Sequence, residues 1–67
     1  MLAPASVQDA KTVLAQAIAI EKAGNADQAL SLYQRALELD AVYADGKSID
    51  RGMVYDRIGA IRAAAGK

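Results

Sequence analysis

Apolar positions recur at helical spacing in three stretches of the chain. In the first, Val7, Ala10, Leu14, Ala17 and Ile18 fall at intervals of three and four, and Val13 and Ile20 widen the stripe to one side. In the second, Ala29, Leu30, Leu32, Tyr33, Ala36, Leu37 and Leu39 form a broad arc opposite a polar face of Asp27, Ser31, Gln34, Arg35 and Glu38. That arc is wider than one partner helix can cover, so it calls for two neighbours, or one neighbour and a ligand. In the third, Val54, Ile58, Ile61 and Ala65 share a stripe that Ile49 and Met53 extend towards its start. The pattern predicts helices over 7–23, 26–44 and 49–65. The fold class it implies is all-α, an antiparallel three-helix bundle forming a single domain over 1–67.

The breaks between stripes carry turn chemistry. Lys22-Ala23-Gly24-Asn25 reads as a stop followed by a start: Gly24 suits the left-handed position past a helix end, and Lys22 sits against the last carbonyls. Asn25 is the expected N-cap, with Gln28 at capping-box spacing and Asp27 in the first turn. A corner this short forces the two helices antiparallel. Asp40 interrupts the apolar tail of the second helix, so 41–44 reads either as its last turn or as an irregular exit. Asp45-Gly46 is a stop signal, and Ser48 is the expected N-cap of the third helix. Before the first helix, Met1 to Ala5 with Pro4 reads as a frayed lead, and Ser6 as its cap.

Composition narrows the chemistry. At 67 residues the chain is near the lower size limit for folding without staples. It has no Cys and no His, which removes disulfides, Cys/His zinc sites and imidazole chemistry. No cofactor or metal is expected. Net charge is zero, which gives no footprint for nucleic acid. There is no apolar run of membrane-spanning length and no signal-peptide pattern, so the expectation is a cytoplasmic protein without direct membrane insertion. The charges are nevertheless asymmetric. Lys47, Arg51, Arg57, Arg62 and Lys67 make the last third basic, while Asp9, Glu21, Asp27, Glu38, Asp40 and Asp45 make the rest acidic. Attraction between helices within the bundle explains this; an acidic partner facing the third helix is the alternative.

No catalytic constellation emerges. Gly46-Lys47-Ser48 looks like the end of a phosphate-binding loop, but Ala41 stands where that motif needs its first Gly, and the segment follows a helix. Asp9, Glu21, Asp27 and Glu38 read as exposed or capping carboxylates. Ser and Thr have no His to activate them. The chain reads as a non-enzyme. Two features of the third helix bear on binding instead. Gly52, Gly59 and Gly66 lie seven apart on one smooth face, which reads as a marginal helix or as a flat strip where another helix could approach. Tyr55 lies beside that face at a position expected to be exposed.

One longer stretch resembles a known family. Ala17-Ile18-x-x-Glu21-Lys22-Ala23-Gly24-Asn25-x-x-x-Ala29-Leu30-x-Leu32-Tyr33-x-x-Ala36-Leu37-Glu38 is similar to the MIT (microtubule-interacting and trafficking) domain of AAA ATPases that disassemble ESCRT-III. Ile49, Tyr55-Asp56-Arg57 and Ile61 resemble a shortened form of that family's last helix, reached through a shorter connection. The resemblance implies a protein–protein interaction adaptor that binds C-terminal tail peptides of ESCRT-III-type proteins and recruits a larger protein to endosomal or other membrane-remodelling sites. In the family such tails dock as a helix between helices two and three, or lie extended between helices one and three. Carried over by position, the groove between helices two and three would use Ala29, Tyr33, Ala36 and Leu37 with Tyr55, Ile58, Gly59 and Arg62. Gly59 stands where members that bind Arg-bearing motifs offer an acidic residue, so the resemblance implies a preference for a more acidic or more apolar helix.

Two other readings stand beside it. Ala29, Tyr33 and Ala36 also match the second helix of a tetratricopeptide repeat, and Tyr55-x-x-Ile58-Gly59 resembles the opening of a following repeat. Gln16-Ala17 replaces that motif's Leu-Gly, however, and Ala41 its Pro. The third reading is a self-association module built on the glycine strip and Tyr55.

Overall fold

The computed structural model describes residues 7–66, with side chains from residue 9 onward. The Met1–Ala5 lead and the Ser6 cap lie outside the described residues, as does the side chain of Val7. Three helices follow one another: α1 (Val7–Lys22), α2 (Ala26–Ala44) and α3 (Arg51–Gly66). The described residues contain no strand, and the fold is an all-α three-helix bundle.

The first corner closes as its residues demand. Gly24 has φ +96°, the Gly24 N–H donates to Glu21 O at 3.0 Å, and the Asn25 N–H donates to Ile20 O at 3.1 Å. These are the two bonds that cap a helix ending in a left-handed glycine. Asn25 does occupy the N-cap position of α2, but its side chain makes no capping hydrogen bond. The expected capping box with Gln28 is therefore not formed, and the backbone closure supplies the corner.

α2 runs to Ala44, which resolves the ambiguity after Asp40 in favour of a continuous helix. It ends at Asp45, left-handed at φ 52°, followed by Gly46 at φ 74°. The Asp40 carbonyl accepts both the Asp45 and the Gly46 N–H groups. α3 begins two residues later than expected. Its N-terminus is capped by Asp50, whose Oδ1 accepts the Met53 N–H at 3.1 Å. Ser48 is not the cap, because its N–H and its hydroxyl both bond the Asp40 carboxylate.

α2 is the middle helix. α1 lies against it along much of its length, and α3 meets it over a smaller area. Ala17, Ala29, Tyr33, Val54, Ile58 and Ile61 make the shared core, with Leu14, Ile18, Leu30, Leu37 and Met53 packed around it. Burying Val54, Ile58 and Ile61 contributes about 1.5–3 kcal/mol each relative to leaving them in water. The polar face of α2 is exposed at Asp27, Ser31, Gln34, Arg35 and Glu38, as its spacing requires. Contacts fix the direction of α3. Arg51 meets Leu37 and Asp40, Arg57 reaches Glu21 beside Tyr33, and Ala64 and Ala65 come near Ala26. It therefore runs antiparallel to α2.

Candidate functional site

Two polar clips and one groove define what α3 does to the surface. At its start, Asp40 is fully buried on α2, with its carboxylate between two partners. Oδ1 accepts the Ser48 N–H at 2.7 Å and the Ser48 hydroxyl; Oδ2 accepts Arg51 Nη1 at 2.9 Å. Arg51 also donates to Leu37 O at 3.4 Å and, through Nη2, to the Tyr55 hydroxyl at 3.1 Å, and its guanidinium lies 5.7 Å from the centre of the Tyr55 ring. The Ser48 hydroxyl, with help from Arg51, holds the Asp40 carboxyl below its ordinary range although burial pushes the other way. Asp40 is an anion that the chain has already saturated.

The second clip joins all three helices. Tyr33 is fully buried; its hydroxyl donates to Glu21 Oε1 at 2.6 Å, and Arg57 Nε donates to the same oxygen at 3.0 Å. The Tyr33 hydroxyl, more than Arg57, lowers the Glu21 pKa. Burial, then the neighbouring carboxylate, raises that of Tyr33. The expectation that Glu21 is a solvated surface carboxylate is corrected here: its side chain is 19% exposed and serves as the hub of the α1–α2–α3 junction. The basic cast of the third helix has an internal explanation too, since two of its arginines pair with Glu21 and Asp40.

Beyond the second clip, α3 stands off from the corner between α1 and α2 and leaves an open cavity of about 430 Å³. Gly24, Ala26, Ala60, Ile61, Ala64 and Ala65 line it, with Glu21 as its charged wall. Small side chains on both sides let a guest backbone come close. The groove continues at Gly24 and Ala26 into a more polar hollow over Asn25, Asp27 and Gln28.

The residues expected to line a groove between the second and third helices separate into two groups. Ala29, Tyr33 and Ile58 are brought together, but inside the core under α3; Ala36 is also fully buried, and Leu37 is half-buried against the core. Tyr55, Gly59 and Arg62 are exposed on the outer side of α3. Tyr55 is 54% exposed, and Arg51 engages its ring. Val42 and Tyr43 form a further exposed apolar pair at the end of α2. Among the described residues no cluster of His, Cys, Asp or Glu could hold a metal ion, and no helix is long and apolar enough to cross a membrane. No protein-family model, curated protein or solved structure matches the chain.

Proposed function

We propose that this chain is a protein–protein interaction adaptor that takes an extended peptide in the groove between the α1–α2 corner and the C-terminal half of α3. The observation that supports it is that groove, about 430 Å³ and walled by glycine, alanine and one isoleucine beside Glu21. Its walls favour a segment of small or aliphatic side chains over a bulky helix. The resemblance of residues 17–38 to the MIT domain points to C-terminal tails of ESCRT-III-type proteins as the peptide class, and the position of the groove against α1 and α3 favours the extended of that family's two docking modes. The adaptor would bring a larger protein to membrane-remodelling sites by this contact.

The test is a heteronuclear NMR titration of the chain with such tail peptides. The expected result is shifts centred on Gly24, Ala26, Ala60 and Ala64, abolished in an Ala64→Arg variant whose free spectrum remains folded. Shifts confined to Tyr55, Gly59 and Arg62, or none at millimolar peptide, would overturn the site.

A second reading, a tetratricopeptide-like peptide-binding fragment, is favoured by a separate observation. Ala17, Ala29 and Ala36 are all without exposure, so α1 and α2 pack through small side chains at the positions that such a helix pair needs. Binding of peptides that end in acidic residues, with no response to ESCRT-III-type tails, would select it.

A further inference from the structure

α3 is the least secured of the three helices. Gly59 lies in its interior and Gly52 in its first turn, both without positive φ, so no turn requires them. A Cβ at Gly59 would meet nothing within 4 Å, and one at Gly52 would meet only Asp50 Oδ1 at 3.5 Å, an ordinary contact. Neither glycine serves a close approach; each only lowers the propensity of α3 to be helical. The helix is held by one stripe, Val54, Ile58 and Ile61, and by the Arg51 and Arg57 clips. The link before it turns at Asp45 and Gly46, both left-handed.

We infer that α3 undocks as a unit while the α1–α2 hairpin persists, and that the face it uncovers docks the α3 of a second copy of this chain. The chemistry of the face selects the occupant. Its floor is Ala17, Ala29 and Tyr33, and the carboxylates of Glu21 and Asp40 stand apart on α1 and α2. The fitting helix carries apolar side chains at three- and four-residue spacing and two arginines six apart. α3 satisfies this pattern within its own chain, and another copy of α3 remakes every contact in trans. The difference between the two arrangements then lies in the hinge and in concentration. A helix on a short tether competes at an effective concentration on the order of millimolar, so exchange is a minor population in dilute solution. The inference does not rest on the adaptor reading, and it opposes it in one respect: undocking removes the wall that Ala60, Ile61 and Ala64 give the peptide groove.

Two linked measurements on the full chain test it: native-state hydrogen exchange by NMR, and titration with a synthetic peptide of residues 50–66. The α3 amides are expected to exchange about tenfold or more faster than the slowest amides of α1 and α2. Gly52→Ala combined with Gly59→Ala is expected to slow α3 exchange roughly 5- to 25-fold. The peptide, in the low millimolar range, is expected to shift Ala17, Ala29 and Tyr33, whereas a peptide carrying Arg51→Glu and Arg57→Glu is not. The double-alanine chain should bind the wild-type peptide more weakly by the factor that slows its opening. Exchange of α3 at the rate of the hairpin core would overturn the undocking. Equal binding of both peptides, binding of neither, or an affinity unchanged in the double-alanine chain would overturn the docking face.

Discussion

Arg51 places Nη1 2.9 Å from Oδ2 of Asp40, a carboxylate with no exposure to solvent, and so ties the first turn of α3 to the last turns of α2. The pair differs in kind from Arg35 and Glu38, which are both largely exposed and 3.9 Å apart on one face of α2. Removing one partner of a buried pair strands the other, whereas an exposed pair is screened by water. Arg51→Ala is therefore expected to lower the thermal midpoint at least as much as Asp40→Ala, because it strands a fully buried carboxylate, whereas Asp40→Ala leaves an arginine that is 31% exposed and still bonded to the Tyr55 hydroxyl. Arg35→Ala should change stability by less than about 0.5 kcal/mol. Thermal melts of the three variants and of the Asp40/Arg51 double variant check this. A coupling near zero in that cycle would mean that the clip contributes only packing.

Acid should loosen the bundle through the same carboxylates. Asp40 lies below its ordinary 3.8 chiefly through the Ser48 hydroxyl, and Glu21 below its ordinary 4.5 chiefly through the Tyr33 hydroxyl. Both folded pKa values are depressed, so the unfolded chain binds more protons in that window, and stability falls as pH drops from the ordinary values through the folded ones. With no His in the sequence, the profile is expected to be flat through neutrality. Urea midpoints measured from pH 7 down to about 2 should decline only from the normal carboxylate range downward. The decline should be shallower in a Glu21→Gln chain. A midpoint that begins to fall well above pH 5 would point to other groups.

Much of this was legible in the spacing of the chain, and the part that was not has a definite cause. The three apolar stripes, the Gly24 corner and the Asp45-Gly46 stop follow from periodicity and turn chemistry that local sequence carries. The clips depend on partners 11 and 36 residues away. A signal was nevertheless present. Ala10, Leu14, Ala17 and Glu21 share one spacing with Ala29, Tyr33, Ala36 and Asp40, so each buried stripe ends in a carboxylate. A charge that keeps the period of the core needs a cation from the next helix. Ser48 is displaced as a cap by the same long-range bond: donating to the buried Asp40 carboxylate holds it before the helix, and Asp50 caps α3 instead.

Tyr33→Phe isolates one bond at the three-helix junction. The ring still fills its place in the core and the Glu21 carboxylate keeps Arg57, but the lost bond runs to a charged group, so the loss is expected to be about 1.5–3 kcal/mol. The variant should also change the alkaline limb. The Tyr33 pKa is raised above its ordinary 10.0, so its contribution is complete below pH 10 and fades as pH climbs through the folded value. Denaturation midpoints at pH 8 and about pH 11 should converge more closely in Tyr33→Phe than in the parent chain. A parent chain equally stable at both would remove Tyr33 from the titration.

Glycine to alanine should have opposite signs at two positions that look alike by space alone. A Cβ would meet nothing within 4 Å at either Gly24 or Gly59. At Gly59 the backbone is helical, so alanine only narrows the unfolded ensemble and improves propensity, a gain of about 0.5–1 kcal/mol. At Gly24 φ is +96°, a conformation L-residues resist, so Gly24→Ala is expected to cost about 1 kcal/mol or more. The same substitution there also strains the closure that carries the Asn25 N–H to Ile20 O, and with it the antiparallel start of α2. Paired urea melts of the two variants decide the matter. Stabilisation at Gly24 would mean that the corner relaxes to a helix end needing no left-handed residue, while destabilisation at Gly59 would mean that the outer face of α3 is packed in solution against something that alanine displaces.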